Sequence, residues 1–342
     1  MAGGNFELVA MGNPLLDMQI RNGEKVLEKY GLNANDAVLA TPEQLSIYQH
    51  IVDNYEVTYV AGGAAQNAAR CAQYVLPEKS TAYLGCVGSD ALADQLRAAN
   101  DKEGLRSIYQ VDKETPTGSC AVVITGHDRS LCTNLGAAEK FNKSHLETPE
   151  AKEVISNAKF FYLGGFFLTH GIESAMILAK EANSRNVPFA MNLSAPFIPQ
   201  FFKAQVDEIL PYADIIFGNE SEAEAWAESQ SLGSKDLTTI AQAIADYKSV
   251  SSRPRQVIIT QGSQPTILAV AGKEVAVHET PKINPADIVD TNGAGDAFAG
   301  GVMGALIAGK TIEQAIDVGH KLGGMCIGQV GPILKFPKVQ VM

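Results

Sequence analysis

The chain is short of positive charge. Its 342 residues carry 27 Lys and Arg against 38 Asp and Glu, a formal net charge of −11 at pH 7. Such a balance argues against nucleic acid or an anionic membrane surface as a main partner. It leaves a nucleotide open, because one local anion hole suffices for that. Cysteine is scarce and unpaired: Cys71, Cys86, Cys120, Cys132 and Cys326 make an odd count with no CxxC pair. That is the usage of a reduced intracellular chain, not of a disulfide framework or a zinc site. Long apolar runs are missing too. The longest, Phe160 to Leu168, includes two glycines and falls far short of the roughly 20 residues of a spanning helix. The opening Met-Ala-Gly-Gly-Asn-Phe-Glu has no basic stretch followed by an apolar one, so the expected location is cytoplasmic, with the nucleus also open. No tandem repeat or low-complexity segment occurs. No G-x-G-x-x-G follows the first apolar run, Phe6–Met11, which instead enters Gly12-Asn-Pro; this sets aside a dinucleotide-dependent oxidoreductase.

What is present reads as a soluble globular chain, 46% hydrophobic and 19% charged, long enough for one large domain with or without a smaller one. Short apolar runs alternate with helical patterns. Phe6–Met11, Thr81–Val87, Lys159–Leu163, Pro188–Asn192, Ile215–Gly218, Gln256–Thr260 and Thr266–Val270 read as strands. Gly63–Tyr74, Asp90–Asn100, Glu173–Ser184, Phe201–Leu210, Leu237–Tyr247 and Thr311–Ile327 read as helices. The succession predicts an α/β fold with a mainly parallel central sheet covered on both faces. Residues 14–61 and 106–136 break the rhythm with shorter β-like pieces and a turn at Gly126-His-Asp-Arg129. They predict a small β-sheet lid over a core of residues 1–13, 62–105 and 137–342. Ligands of open α/β sheets bind at the carboxyl ends of the strands, where such a lid would sit.

Asp290-Thr-Asn-Gly-Ala-Gly-Asp296 precedes a run of small and apolar residues with helical spacing. At a helix start the N–H groups of Asn292, Gly293, Ala294 and Gly295 would lack internal acceptors and, with the dipole, would favour an anion, phosphate above all. Asp296 beside them suits a general base, and the pair points to phosphoryl transfer to a hydroxyl; a helix cap on a Gly-rich turn explains the same residues. Gly62-Gly63 lets a ligand approach backbone, and Asn67 offers donor and acceptor to a polyol. Asp17, after Gly12-Asn-Pro, is an apolar-flanked carboxylate that two sugar hydroxyls would satisfy, as would a cap or turn. Asn219 and Glu222 fit either a magnesium site or a capping box. Thr260-Gln-Gly262 could pass a ribose or phosphate near backbone. Arg129 in the lid turn could close on phosphate, and His320 could lie against an adenine. Phe166 and Phe167 could stack a base or pack in the core.

In their order and spacing, Gly62-Gly63 with Asn67, then Asn219 and Glu222, then Asp290-Thr-x-Gly-Ala-Gly-Asp296 resemble the ribokinase-like carbohydrate kinase (pfkB) family. Met11-Gly-Asn-Pro-Leu-Leu-Asp17, Asp128-Arg-Ser-Leu131, Gly165-Phe-Phe-Leu-Thr169, Asn192-Leu-Ser-Ala-Pro-Phe197 and Phe217-Gly-Asn-Glu220 narrow the resemblance to its nucleoside-phosphorylating members, over essentially the whole chain. The resemblance implies a three-layer core with a β-sheet lid, magnesium, and transfer from ATP to the adenosine 5′-hydroxyl. It implies Asp296 as base and Asn292 to Gly295 as anion hole. Asn13, Asp17, Gly63 and Asn67 would hold the ribose, with Leu15, Leu39, Leu131 and Phe167 around the adenine. Arg129 would reach the phosphates, Asn219 and Glu222 would carry magnesium through water, and Thr260, Gly262 and His320 would line the ATP cleft. The partners implied are the two small molecules alone, with a monomeric protein. Ala64, Ala37 and Thr133 depart from the family's pattern and bear on base specificity. A kinase of free sugars and a non-catalytic nucleoside binder are the rival readings.

Overall fold

The computed structural model describes residues 6–34, 36–126 and 128–342. Nine strands form a large sheet in the spatial order Ala276–His278, Gln264–Val270, Gln256–Gln261, Ile215–Asn219, Phe189–Asn192, Phe160–Gly164, Leu8–Met11, Thr81–Val87, Arg106–Val111. Pairing is parallel from Gln256–Gln261 through to Arg106–Val111, and antiparallel only for the two strands beyond Gln256–Gln261. Strand periodicity sends alternate side chains to opposite layers. Val9, Met11, Phe161 and Leu163 join helices Pro149–Asn157, Ile172–Ser184 and Leu237–Ala245 on one face. Leu8, Ala10, Phe160 and Tyr162 join helices Ala64–Val75, Ala91–Glu103, Ala294–Ile307 and Ile312–Ile327 on the other. This is the expected three-layer α/β core. No helix among the described residues is long and apolar enough to cross a membrane.

A second sheet of five strands runs Ala37–Leu39, Asp128–Asn134, Ser119–Thr125, Leu15–Arg21, Thr58–Gly62. Its outer face buries Met18, Ile20, Ala121 and Val123 under helices Glu24–Tyr30 and Ile47–Asn54, through Val26, Tyr30, Ile47 and Ile51. Its inner face turns toward the carboxyl ends of the large sheet. The lid was expected to include residues 106–136, and here the structure differs: Arg106–Val111 pairs in parallel with Thr81–Val87 as the edge of the large sheet. The helix Ala91–Glu103 is the crossover of that βαβ unit. It is capped by the Asp90 side chain on Ala93 N–H (3.0 Å) and ended by left-handed Gly104. An edge strand needs few apolar residues, and Arg106, Ser107 and Gln110 hid it. The turn expected at 126–129 includes His127, which lies outside the described residues. The helix expected over Phe201–Leu210 is broken at Phe202, whose backbone (φ −115°, ψ 33°) leaves the helical region between Phe197–Phe201 and Lys203–Ile209.

Two helices of one layer approach almost backbone to backbone. A Cβ on Gly300 would overlap the Ala68 carbonyl, and one on Gly301 would lie 2.9 Å from the Gly319 Cα. Glycine thereby seats Ala294–Ile307 between Ala64–Val75 and Ile312–Ile327.

Candidate active site

The first strand ends at Met11 where the order reverses, its neighbours being Phe160–Gly164 and Thr81–Val87. Such a switch point leaves a crevice at the strand ends. The crevice here encloses about 790 Å³ of space open to solvent, between the two sheets. Asn13, Leu15, Asp17, Leu39, Gly63, Asn67, Leu131, Phe167, Asn292 and Asp296 all line it. Asn13, Leu15, Asp17, Leu39 and Leu131 reach it from the small sheet and its approach. Asn67 and Asp296 come from the two glycine-seated helices. Sequence reasoning passed over Cys120, Leu135 and Phe197, which complete the walls; only the run ending at Phe197 had drawn notice.

Glycine makes room for the polar groups. A Cβ on Gly62 would overlap the Asp17 carboxylate, and one on Gly63 would overlap the Asn13 carbonyl oxygen. Gly63 also has φ +86°, a left-handed value, as N-cap of Ala64–Val75. Asn13 Nδ2 donates to Phe166 O (3.4 Å), and Asn13 Oδ1 lies 2.9 Å from His170 Nε2. That oxygen only accepts, so Nε2 carries the proton. Burial holds His170 down at about 4, and it is neutral at pH 7.

Asp296 accepts from Asn67 Nδ2 at 3.0 Å. Burial pushes its carboxyl up to about 7, against the pull of that bond and of the Arg70 charge. Asp17 is likewise pushed to about 7 by burial, with Asp296 and Asp290 adding to the rise and Arg70 and the Asn292 side chain opposing it. Carboxylates poised near neutrality in a cleft are suited to proton transfer and to binding donors.

The helix behind Asp296 starts at left-handed Gly293 (φ +77°) with no side-chain cap. Four free N–H groups were expected over Asn292–Gly295, and two are engaged. Asn292 N–H donates to Asp290 Oδ1 at 2.7 Å, and Ala294 N–H to Thr291 O at 3.3 Å. Among the described residues, no acceptor takes the N–H of Gly293, Gly295 or Asp296. The anion-facing group is therefore shifted one residue along the chain, because the Asp290 side chain captures Asn292 first. Asp290 is buried and also accepts from Gly331 N–H (2.7 Å). Arg129, itself buried, is ion-paired with Asp290, outside the crevice lining.

Asn219 and Glu222 form a capping box on Glu220–Ser229. Glu222 N–H donates to Asn219 Oδ1 (2.9 Å), and Asn219 N–H and Nδ2 donate to the Glu222 carboxylate (3.1 and 2.9 Å). Both border a second groove that shares Leu39 and Phe197 with the first. Burial raises Glu222 to about 7. Among the described residues, no cluster of three or more His, Cys, Asp or Glu side chains could hold a metal. Thr260 Oγ1 is 3.4 Å from Gly218 O, and Gly262 takes φ +58° with open space around it. His320 is buried, 2.9 Å from Thr266 Oγ1 and packed on Phe298. These three stand apart from the crevice.

Residues 25–339 match the model of the pfkB family of carbohydrate kinases. An adenosine kinase of Schizophyllum commune is 51% identical over 99% of both chains, and one of Schizosaccharomyces pombe 48% over 98% of both. Among solved structures, Anopheles gambiae adenosine kinase in complex with P1,P4-di(adenosine-5) tetraphosphate superposes with a TM-score of 0.92 at 42% identity, covering 94% of this chain and 95% of that one. Schistosoma mansoni adenosine kinase in complex with adenosine and AMP gives 0.90 at 32%, covering 97% and 98%. Matched along nearly its whole length, the chain belongs to the pfkB family of carbohydrate kinases and is a kinase.

Proposed function

We propose that the protein is an adenosine kinase, transferring the γ-phosphoryl group of ATP to the adenosine 5′-hydroxyl to give AMP and ADP. The observation that carries this reading is Asp296, a carboxylate poised near neutrality at an apolar-walled crevice and beside unbonded helix N–H groups. Adenosine binds with its ribose on Asp17, Gly63, Asn67 and Asn13 and its base among Leu15, Leu39, Leu131 and Phe167. Asp296 takes the 5′-hydroxyl proton as that oxygen bonds the γ-phosphorus. The bond from phosphorus to the β,γ-bridging oxygen breaks, and ADP departs with the electron pair. The N–H groups of Gly293, Gly295 and Asp296 receive the charge that gathers on the transferred group, with Ala294 and Asn292 shaping the loop. Arg129 exchanges its Asp290 partner for phosphate. Asn219, Thr260, Gly262 and His320 serve the ATP side.

Glu222 and Asn219 fit a magnesium site by the chemistry of their donors, since carboxylate and amide oxygens suit a hard cation, and burial raises the Glu222 carboxyl to about 7. Asn219 and Glu222 would hold the ion through water, where it neutralises phosphate charge. The acidic balance speaks against nucleic acid or an anionic membrane surface as a main partner; with adenosine and ATP as its partners, we read the protein as a monomer of the cytoplasm, with the nucleus also open. ADP release from ATP and magnesium, with adenosine, inosine, guanosine, ribose and fructose in parallel, tests the reading. Adenosine-dependent release that falls about 10²- to 10⁴-fold in Asp296→Asn, with adenosine still bound, is the expected result. Release with a sugar but not adenosine overturns the substrate, and undiminished turnover in Asp296→Asn removes the base.

A further inference from the structure

Arg70 lies behind the crevice, is not itself among the residues that line it, and is 2% exposed. Its guanidinium donates from one nitrogen to three oxygens: Asn67 Oδ1 at 2.9 Å, Ala61 O at 2.9 Å and Pro332 O at 3.2 Å. Its Nε stands 3.6 Å from Glu103 Oε2. Ala61 belongs to the small sheet, Glu103 ends the crossover helix, and Pro332 lies beyond the last helix. Arg70 and Asn67 stand three apart on one helix, the spacing that brings side chains together. We propose that Arg70 is a positioning residue for the transfer, fixing the Asn67 amide in the one orientation that presents an N–H to Asp296.

Hydrogen-bond polarity selects the orientation. An asparagine amide has two orientations related by a half-turn. Guanidinium only donates, and an ionised carboxylate only accepts. With Arg70 on one side and Asp296 on the other (Asn67 Nδ2 to Asp296 Oδ2, 3.0 Å), a single orientation satisfies both. The reversed amide would set its oxygen against the carboxylate and its N–H groups against the cation. Among the described residues Arg70 alone donates to the Asn67 side-chain oxygen, so without it the choice is not enforced from that side. The Arg70 charge also favours ionised Asp296 and Asp17, but that effect acts through space and does not need Asn67. The two modes are therefore separable.

This inference rests on the reading of Asp296 as base, and the experiment keeps the two apart. Adenosine kinase activity is measured as kcat/KM for wild type, Arg70→Met, Asn67→Ala and the double variant, with thermal melting to confirm folding. Loss of a charge-assisted hydrogen bond corresponds to about a 10- to 100-fold drop for Arg70→Met. In the Asn67→Ala background the same substitution should cost no more than about twofold. An equal factor in both backgrounds means that Arg70 acts by charge or packing alone and refutes the inference. If Arg70→Met does not fold, Arg70→Lys replaces it in the cycle, since lysine keeps the charge but lacks the planar fork. Turnover persisting in Asp296→Asn overturns the base instead, whatever the cycle gives.

Discussion

Asp17 costs the free protein stability, and replacing it with asparagine should reveal how much. The carboxyl is 6% exposed and is raised from 3.8 to about 7. A folded-state pKa above the unfolded value means that the stability contributed by the protonated form is complete below pH 3.8 and lost as pH rises through 7. Asparagine stands in for the neutral form at every pH. A rise of about 3 in pKa, at 1.36 kcal/mol each, makes Asp17→Asn more stable by about 4 kcal/mol above pH 7. At pH 5 only the span from 3.8 to 5 counts, about 1.6 kcal/mol. For a chain of this length those values are about 6 °C and about 2 °C in Tm. Melting curves of both proteins without nucleoside, from pH 5 to pH 8, read the difference directly. The gap should widen with pH and level off above 7. A gap that stays constant, or a variant that is the less stable at pH 8, would refute the account of Asp17 as a buried, under-compensated charge. If Asp17 holds the ribose as proposed, the same variant should raise KM for adenosine by about 10- to 100-fold through loss of a charged acceptor.

Two further outcomes follow from the geometry. Gly62→Ala places a methyl group on the Asp17 carboxylate, and displacing that side chain should raise KM for adenosine about tenfold, the scale of a 1–3 kcal/mol overpacking penalty; an unchanged KM would mean that the carboxylate has room to move. Arg129→Gln leaves buried Asp290 with only its two backbone N–H partners. Breaking one side of such a pair should cost about 3 kcal/mol in urea unfolding at pH 7 and lower kcat, whereas full stability would show that the pair is dispensable.

The alternation of apolar runs and helical spacing made the three-layer core legible, because a fully buried parallel strand such as Thr81–Val87 has no polar face to disguise it. Arg106–Val111 escaped for the opposite reason: half its side chains meet water. The base proposed at Asp296 was legible because a carboxylate there stands beside helix N–H groups that suit an anion. The number of free N–H groups over Asn292–Gly295 is smaller than expected, since the Asp290 side chain turns onto the Asn292 N–H, a local bond that the sequence permits without requiring. At Asn219 and Glu222 the capping reading left open by the sequence is what the structure displays. The crevice walls Leu15, Leu39 and Leu131 were named from resemblance alone, because nothing in a leucine says which way its strand faces. Arg70 and His170 were not singled out at all. His170 acts on an asparagine that the fold brings from 157 positions away, and Arg70 acts on its helical neighbour Asn67, whose link to Asp296 is itself long-range.

The glycine contacts along Ala294–Ile307 bring that helix close to the backbones of its neighbours at Gly300 and Gly301. A helix held in this way offers selection almost nothing to adjust, since any residue larger than glycine at Gly300 must push a backbone aside. The inner face of the small sheet is different. Ala37, Leu39, Leu131 and Thr133 border the crevice on strands whose outer face is packed independently. Variation in what the protein accepts can therefore accumulate on the small sheet while Asp296 and Asn67, on helices Ala294–Ile307 and Ala64–Val75, stay unchanged. Laboratory evolution toward new acceptors should find its productive substitutions on those four walls and lose the enzyme wherever it touches the glycine seam.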